Sequence, residues 1–354
     1  MTPAEAKDRS DKWPPEGLET LGACPVCGSP ERSLLHRALR DDIFFVAPGT
    51  WTMWKCGGCG SAYLDPRPDR RTIGLAYERY YTHDPEEAAP PPTGLRKVRA
   101  ALANGYRNAR YGTRLRPASR LGAVLAAVVP TLRSPLDIGF RYLPKRAGRV
   151  LDIGCGGGEW LLTAQSAGWE ACGADPDPVA AARCREKGLD VRSGGSEAWL
   201  DQAGGFDAVT MNHVIEHLHD PGATLADILR LLKPGGQLFI ETPNLEARGH
   251  RLYGASWRGL EPPRHLMLFS RASLRDLLAR SGFTEIRFRK RPPPNEVIDL
   301  MSARIAAGID PYDPAVPAGY APPGFAQRVR LGFAGRDVEF LTLTCTRPRA
   351  EVRR

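Results

Sequence analysis

Two sets of residues in this 354-residue chain have the types and spacing to do chemistry. The first is a glycine turn. An apolar run beginning at Arg149 ends on Asp152 and Ile153, then breaks into Gly154, Cys155, Gly156, Gly157 and Gly158, and a helical pattern follows from Glu159. Strand, glycine turn and helix in that order let the backbone bend tightly and approach a ligand, with the N–H groups of the helix start facing it. Many nucleotide-binding proteins carry such a turn, so alone it says little. The next strand sharpens it: residues 169–175 close on Asp175, 17 positions after Gly158, where a carboxylate can accept hydrogen bonds from both hydroxyls of a ribose.

The second set is cysteine. Four of the eight cysteines form two pairs, Cys24-x-x-Cys27 and Cys56-x-x-Cys59, each followed by Gly-Ser. A C-x-x-C turn brings two thiolates to one ion, and the glycine supplies the positive φ that the turn needs. Two such knuckles make a tetrahedral four-cysteine zinc site. A closed set of four thiolates leaves no open coordination position, so its expected role is folding rather than catalysis. A redox pair or disulfides are the alternatives, but a redox site needs one pair and a reducing compartment disfavours disulfides. Cys172, Cys184 and Cys345 have no partner spacing and read as core residues, while Cys155 offers backbone to the turn.

These residues must be positioned by an alternation of strands and helices. The apolar runs predict strands near 149–153, 169–174, 189–192, 206–211 and 237–241, with two more near 284–289 and 338–344. Asp220-Pro221 is a helix start, N-cap then first turn, and Lys233-Pro-Gly-Gly236 is its stop. A proline-rich insert, about 291–335, separates the last two strands, with a cover over the active site or a dimer contact as its expected roles. Upstream, Pro85 and Pro90 to Pro92 mark a hinge over 84–95. Residues 95–130 show helical periodicity with arginine and tyrosine interleaved: Arg96, Arg99, Tyr106, Arg107, Arg110 and Tyr111. The expected division is a zinc-ribbon-like module over 1–83, a basic, partly helical linker over 84–145, and a catalytic domain over 146–354.

Composition sets limits. The net charge is +9, and it is uneven. Residues 1–83 carry 11 basic and 11 acidic side chains, 84–148 carry 12 and 4, and 149–354 carry 26 and 25. The positive charge therefore sits in the linker, where it could meet RNA, an acidic lipid surface or a phosphorylated substrate, or simply form a solvated helix face. The first twenty residues are polar and hold Pro14 and Pro15, and the apolar run 121–129 is too short to span a bilayer, so a cytoplasmic protein with at most peripheral membrane contact is expected.

Leu151-Asp-Ile-Gly-Cys-Gly-Gly-Gly158, Gly173-Ala-Asp-Pro-Asp177, Phe206-Asp-Ala-Val209 and Leu232-Lys-Pro-Gly-Gly236 occur in order and at family spacing. Together they resemble the core of class I S-adenosylmethionine-dependent methyltransferases, over roughly residues 146–348. The resemblance implies an α/β fold: a Rossmann-like seven-stranded methyltransferase sheet, here with a small N-terminal zinc-ribbon module. It implies S-adenosylmethionine as cofactor, in addition to the structural zinc that the cysteine spacing predicts. It places Asp152, Gly154, Cys155, Gly156, Gly158, Asp175, Pro176 and Asn212 around the cofactor, with Ser196 a weaker candidate at the adenine.

After the fourth core strand, His213-x-x-Glu216-His217 matches an inverted zinc-protease signature in isolation, but such a site needs a long helix and a third ligand. Glu216-His217 is instead similar to the Glu-His of ubiquinone-type O-methyltransferases. The segment Trp257 to Ser270 resembles the substrate loop of methyltransferases found near sugar and polysaccharide pathways, and Tyr63 to Tyr81 resembles the tail of the zinc module that precedes some of them. Methyl transfer to a hydroxyl requires loss of a proton near neutral pH, for which histidine is suited. His265 is the expected base, with His213 and Glu216 as further candidate catalytic residues. Arg258 and Arg264 could clamp an anionic group or pair with Glu261. The expected acceptor is a hydroxyl or carbon of a small molecule or sugar precursor. Two alternatives stay open: an RNA methyltransferase that grips nucleic acid with its zinc module and basic linker, and a non-catalytic adaptor of the same fold.

Overall fold

The computed structural model describes residues 12–78, 93–290, 296–322 and 338–349. The hinge prolines, Tyr80 and Tyr81, and the insert residues 291–295 and 323–335 lie outside them.

The N-terminal part is built on short antiparallel strands. β1 (Leu18–Glu19) pairs with β5 (Arg67–Pro68), and β2 (Arg32–Leu39), β3 (Trp51–Cys56) and β4 (Ala62–Leu64) form a meander. Its fourth strand comes from far along the chain: β11 (Met267–Leu268) pairs antiparallel with β4. The sequence expectation of a self-contained module over 1–83 did not include this strand, because two residues carry no readable alternation. Trp51, Met53, Ala62 and Leu64 share a core with Leu245, Ala247, Trp257, Leu260 and Leu268.

Residues 94–128 form a helical hairpin, α1 (Gly94–Tyr111) and α2 (Leu121–Val128), within the stretch of helical periodicity. Gly112 ends α1 in a left-handed C-cap at φ +73°, and its N–H donates to the Asn108 carbonyl.

The larger sheet has seven strands in the order β12-β13-β10-β9-β6-β7-β8, as expected. The strands β6 (Arg149–Ile153), β7 (Glu170–Asp175), β8 (Asp190–Ser193), β9 (Phe206–Asn212) and β10 (Leu232–Pro243) run parallel, and β13 (Phe340–Thr346) lies antiparallel between β10 and the edge strand β12 (Thr284–Phe288). Covered on both faces, β6 can be apolar on both, and Val150, Leu151 and Ile153 are all buried. α3 (Glu159–Ser166) follows the glycine turn. α4 (Pro178–Glu186) starts on Asp177, whose carboxylate accepts from Val179 N, with Pro178 in the first turn. α5 (Pro221–Leu231) starts the same way on Asp220 and Pro221. α6 (Arg248–Tyr253) leads into the loop 254–270, and α7 (Arg271–Arg280) begins with a capping box between Ser270 and Ser273. α8 (Glu296–Ala306), inside the insert, packs on α6 and on residues 254–260. β6 lies between β9 and β7, so the chain winds away from it in both directions, and the C-terminal ends of these three strands open a crevice.

Candidate active site

The crevice is built by the glycine turn. The N–H groups of Gly154 and Cys155 both donate to the Ala174 carbonyl, tying the turn to the end of β7. Gly154, Gly156 and Gly158 all have positive φ. Their surroundings differ: a Cβ on Gly154 would lie 2.5 Å from Val214, one on Gly158 2.5 Å from Leu189, and one on Gly156 would meet nothing within 4 Å. Two of the glycines therefore serve packing and the middle one faces open space. Burial raises the Cys155 thiol well above its ordinary pKa, which leaves its backbone as the group it offers.

Asp175 ends β7 and is buried. Its Oδ2 accepts from Gly156 N at 2.7 Å and its Oδ1 from Asp177 N at 2.9 Å, so each oxygen keeps one lone pair. Pro176 is exposed beside it and Asn212 half-buried at the end of β9. Asp152 is fully buried. Its Oδ1 accepts from Thr210 Oγ1 at 2.8 Å and from the Arg141 guanidinium, whereas Oδ2 has no hydrogen-bond partner among the described residues. Burial raises the Asp152 pKa and Arg141 opposes it. Arg141 itself lies 4.0 Å above the Trp160 ring. Ser196 turns its hydroxyl to Asp227 at 3.1 Å. A buried carboxylate oxygen with an open valence, a second carboxylate with two free lone pairs, and a glycine facing space suit S-adenosylmethionine: its ammonium group, its ribose and its closely approaching chain.

A second group of side chains stands at the ends of β9 and β10. His213 is held at φ +56°, with its N–H on the Glu241 carbonyl at 2.8 Å. Its ring is about one-third exposed, with Nδ1 3.3 Å from Glu216 Oε1 and Nε2 3.7 Å from Glu241 Oε1. Glu216 is fully buried and accepts from Thr242 Oγ1 at 2.9 Å. Burial works against its charge, but the adjacent His213 and His217 rings outweigh it and bring its pKa down to about 2.

Behind Glu216 lies a closed polar network. His217 Nδ1 is 2.9 Å from both the Arg264 carbonyl and the Tyr77 hydroxyl. Ligand atoms of Glu216, His217 and His265 lie within 4.8 Å of one another, close enough to share a cation. Arg264 is fully buried. Its guanidinium pairs with Asp41 at 2.5 and 3.1 Å, with the Ala76 carbonyl at 2.9 Å and with Glu261 at 3.1 Å, and lies 4.1 Å over Phe44. Arg258 pairs with Glu261 as well. The two arginines read as an anion clamp are thus consumed inside the protein.

His265 is enclosed. It is 4 % exposed, its Nδ1 lies 2.9 Å from the Gly259 carbonyl, and its Nε2 faces Glu261 at 3.8 Å. Burial, with His217 alongside, brings its pKa down to about 4 although Glu261 opposes the shift. A weak, enclosed base is poorly placed to take a proton from an acceptor. The His213 ring, by contrast, is partly exposed and stands between the Glu216 and Glu241 carboxylates.

The four paired cysteines converge. Cys24 Sγ is 3.8 Å from Cys59 Sγ, and Cys27 Sγ 3.5 Å from Cys56 Sγ. Tetrahedral zinc with bonds of about 2.3 Å requires sulfur–sulfur separations near ~3.8 Å. Val26 N and Cys59 N point at Cys24 and Cys56 sulfurs at 3.4 Å, as donors that would steady thiolates. The knuckles rest on α7: Arg280 donates to the Val26 carbonyl at 2.8 Å, and Cys24, Val26 and Cys56 share a core with Leu274, Leu277 and Leu278.

The sequence missed Asp41, Arg141 and Thr210. A charged residue beside the apolar run 43–47 was the available signal for Asp41; Arg141 had none.

Fold and cleft define a Rossmann-like α/β domain with its crevice at the C-terminal ends of the parallel strands. Residues 126–287 match the family model described as a methyltransferase domain. The ubiquinone biosynthesis O-methyltransferase of Methylococcus capsulatus is 40 % identical over 114 residues, 30 % of this chain and 48 % of that protein. The enzyme of the same name from Cronobacter sakazakii is 35 % identical over 127 residues, 32 % of this chain and 51 % of that protein. The chain thus spans about half the length of the curated relatives it matches. A solved SAM-dependent methyltransferase from Archaeoglobus fulgidus aligns at 18 % identity over 68 % of this chain and 98 % of its own, with a TM-score of 0.41. The matched stretch, residues 126–287, is thus similar to methyltransferase domains, and it takes in the glycine turn, Asp175 and the His213–Glu216 pair.

Proposed function

We propose that this protein transfers a methyl group from S-adenosylmethionine to a hydroxyl of a small molecule or sugar precursor, and that His213 with Glu216 handles the proton. One observation carries this reading: the glycine turn with Asp152 and Asp175, and the His213–Glu216 pair, stand at the ends of adjacent strands of one sheet. The names of the matched relatives support an O-acceptor, and carbon methylation would use the same architecture.

When bound, S-adenosylmethionine supplies an electrophilic methyl group on a sulfonium. Asp175 would accept from the ribose hydroxyls and Asp152 Oδ2 from the amino group, while the backbone of Gly154 to Gly158, with Pro176 and Asn212, would line the rest. The residues of the crevice would hold the sulfonium so that its methyl group lies in line with the acceptor oxygen, which would take the methyl while the sulfur keeps the electron pair. Its proton passes to His213 Nε2, and Glu216 Oε1, ionised at neutral pH, steadies the charge at Nδ1. Thr242 fixes Glu216. His217, His265, Glu261 and Arg264 shape the loop 257–270 from behind. The four paired cysteines hold a structural zinc ion, and thiols kept reduced for that purpose fit a cytoplasmic location.

The test is transfer of labelled methyl groups from S-adenosylmethionine into cell extract, with and without nuclease, followed by size fractionation. Label in small-molecule or glycan fractions that survives nuclease and falls with His213→Gln supports the reading. Label lost on nuclease treatment transfers the activity to RNA and overturns it.

A further inference from the structure

The helical hairpin α1–α2 is unlike the rest of the surface. Residues 93–133 carry nine basic side chains and no acidic one. The two helices cross so closely that a Cβ on Gly105 would sit 1.7 Å from the Ser119 carbonyl oxygen, and one on Gly122 1.8 Å from that of Leu102. This crossing consumes the small face of α2, Gly122 and Ala126. Its long side chains face outward: Leu121, Val124 and Val128 are 65 %, 58 % and 75 % exposed. Arg114, Arg116 and Arg120, all exposed, immediately precede α2.

We propose that this hairpin docks the protein on an anionic lipid bilayer, with the aliphatic side chains of α2 in the headgroup boundary and the arginines on lipid phosphates. Apolar residues on an exposed helix amid unopposed positive charge are the signature of interfacial binding. RNA would call for exposed rings on which bases stack; here Tyr106 and Tyr111 are buried, and both donate to Asp137 at 2.8 Å. No helix among the described residues is long and apolar enough to cross a membrane, so the contact is peripheral. The hairpin is not a loose tether. Tyr111 stacks on Phe140 at 4.4 Å, and the next residue, Arg141, reaches Asp152 in the crevice, so docking would hold the crevice near the lipid surface. The proposal stands apart from the reading of that crevice.

The full chain is co-sedimented with phosphatidylcholine vesicles with and without phosphatidylglycerol. The expected result is binding that requires the anionic lipid, drops at least about tenfold in the double variant Val124→Asp and Val128→Asp, and drops about fivefold for each of Arg116→Ser and Arg120→Ser. Both sites are on the surface, and an unchanged thermal midpoint shows that the variants remain folded. No binding to anionic vesicles overturns the proposal. So does binding that ignores the valine changes, or tight binding to homopolymer RNA that survives them. A dimer in solution that the valine changes dissociate, without vesicle binding, assigns the face to a second copy and overturns it too.

Discussion

The crevice at the ends of β6, β7 and β9 and the network behind the loop 257–270 both bury carboxylates and arginines, but they treat valence oppositely. In the crevice, Asp152 keeps a bare oxygen and Gly156 faces open space. In the network, Arg264 satisfies its fork with Asp41, Ala76 and Glu261, and the Asp41 carboxylate also accepts from Phe44, Val46 and Ala47 N–H groups. At Asp152 the open oxygen faces the crevice where a ligand would complete it, whereas around Arg264 the chain completes itself. The network joins segments over two hundred residues apart, so the N-terminal strands brace the substrate loop.

If so, changes in the network should cost stability and changes in the crevice should cost binding or turnover. The largest effect is expected from metal removal. A structural zinc contributes on the order of 10 kcal/mol in small zinc-finger peptides, so strong chelation should lower the melting midpoint more than any single substitution, with release of one zinc measurable by a colorimetric indicator. Asp41→Ala should follow. Removing the two-point partner of the buried Arg264 guanidinium, which keeps only Glu261 and the Ala76 carbonyl, costs up to about 3–5 kcal/mol, read by denaturant unfolding, while Asp41→Asn, which keeps an acceptor for the Phe44, Val46 and Ala47 N–H groups, should cost less. Next, His213→Gln should lower kcat by roughly 10²–10⁴ with the affinity for S-adenosylmethionine unchanged; a stability loss without a kcat change would erase the contrast between the two regions.

Acid should distinguish them further. His265 and His36 both have pKa values lowered to about 4, mainly by burial, so the unfolded chain binds protons that the folded one refuses. Stability is therefore full above pH ~6.5 and falls by up to about 1.4 kcal/mol per pH unit for each histidine as pH drops toward 4. Glu216, lowered to about 2, adds a loss in the same direction as pH falls from the ordinary glutamate range. His265→Gln should flatten the histidine part of the slope.

Much of this was legible. The strands predicted at 149–153 and 206–211 and the helix start at Asp220 agree with the structure within a residue, because buried parallel strands and capped helices write local patterns. The glycine turn and Asp175 were readable for the same reason. The pairing of β11 with β4, the Asp41–Arg264 contact and the Arg141–Asp152 contact were not, since each depends on a partner distant in sequence. The burial of His265 was not legible either, since it is set by such contacts. The hairpin break at Gly112 was marked by its glycine, but the apolar and basic periodicity on both sides obscured it.

The most direct test of the contrast is calorimetric titration of S-adenosylmethionine into the zinc-loaded protein and its Asp175→Ala variant, with melting midpoints for both. One-site binding by the wild type, abolished in the variant at an unchanged midpoint, is the predicted result. A folded wild type that does not bind, or a variant that binds equally well, would contradict the account.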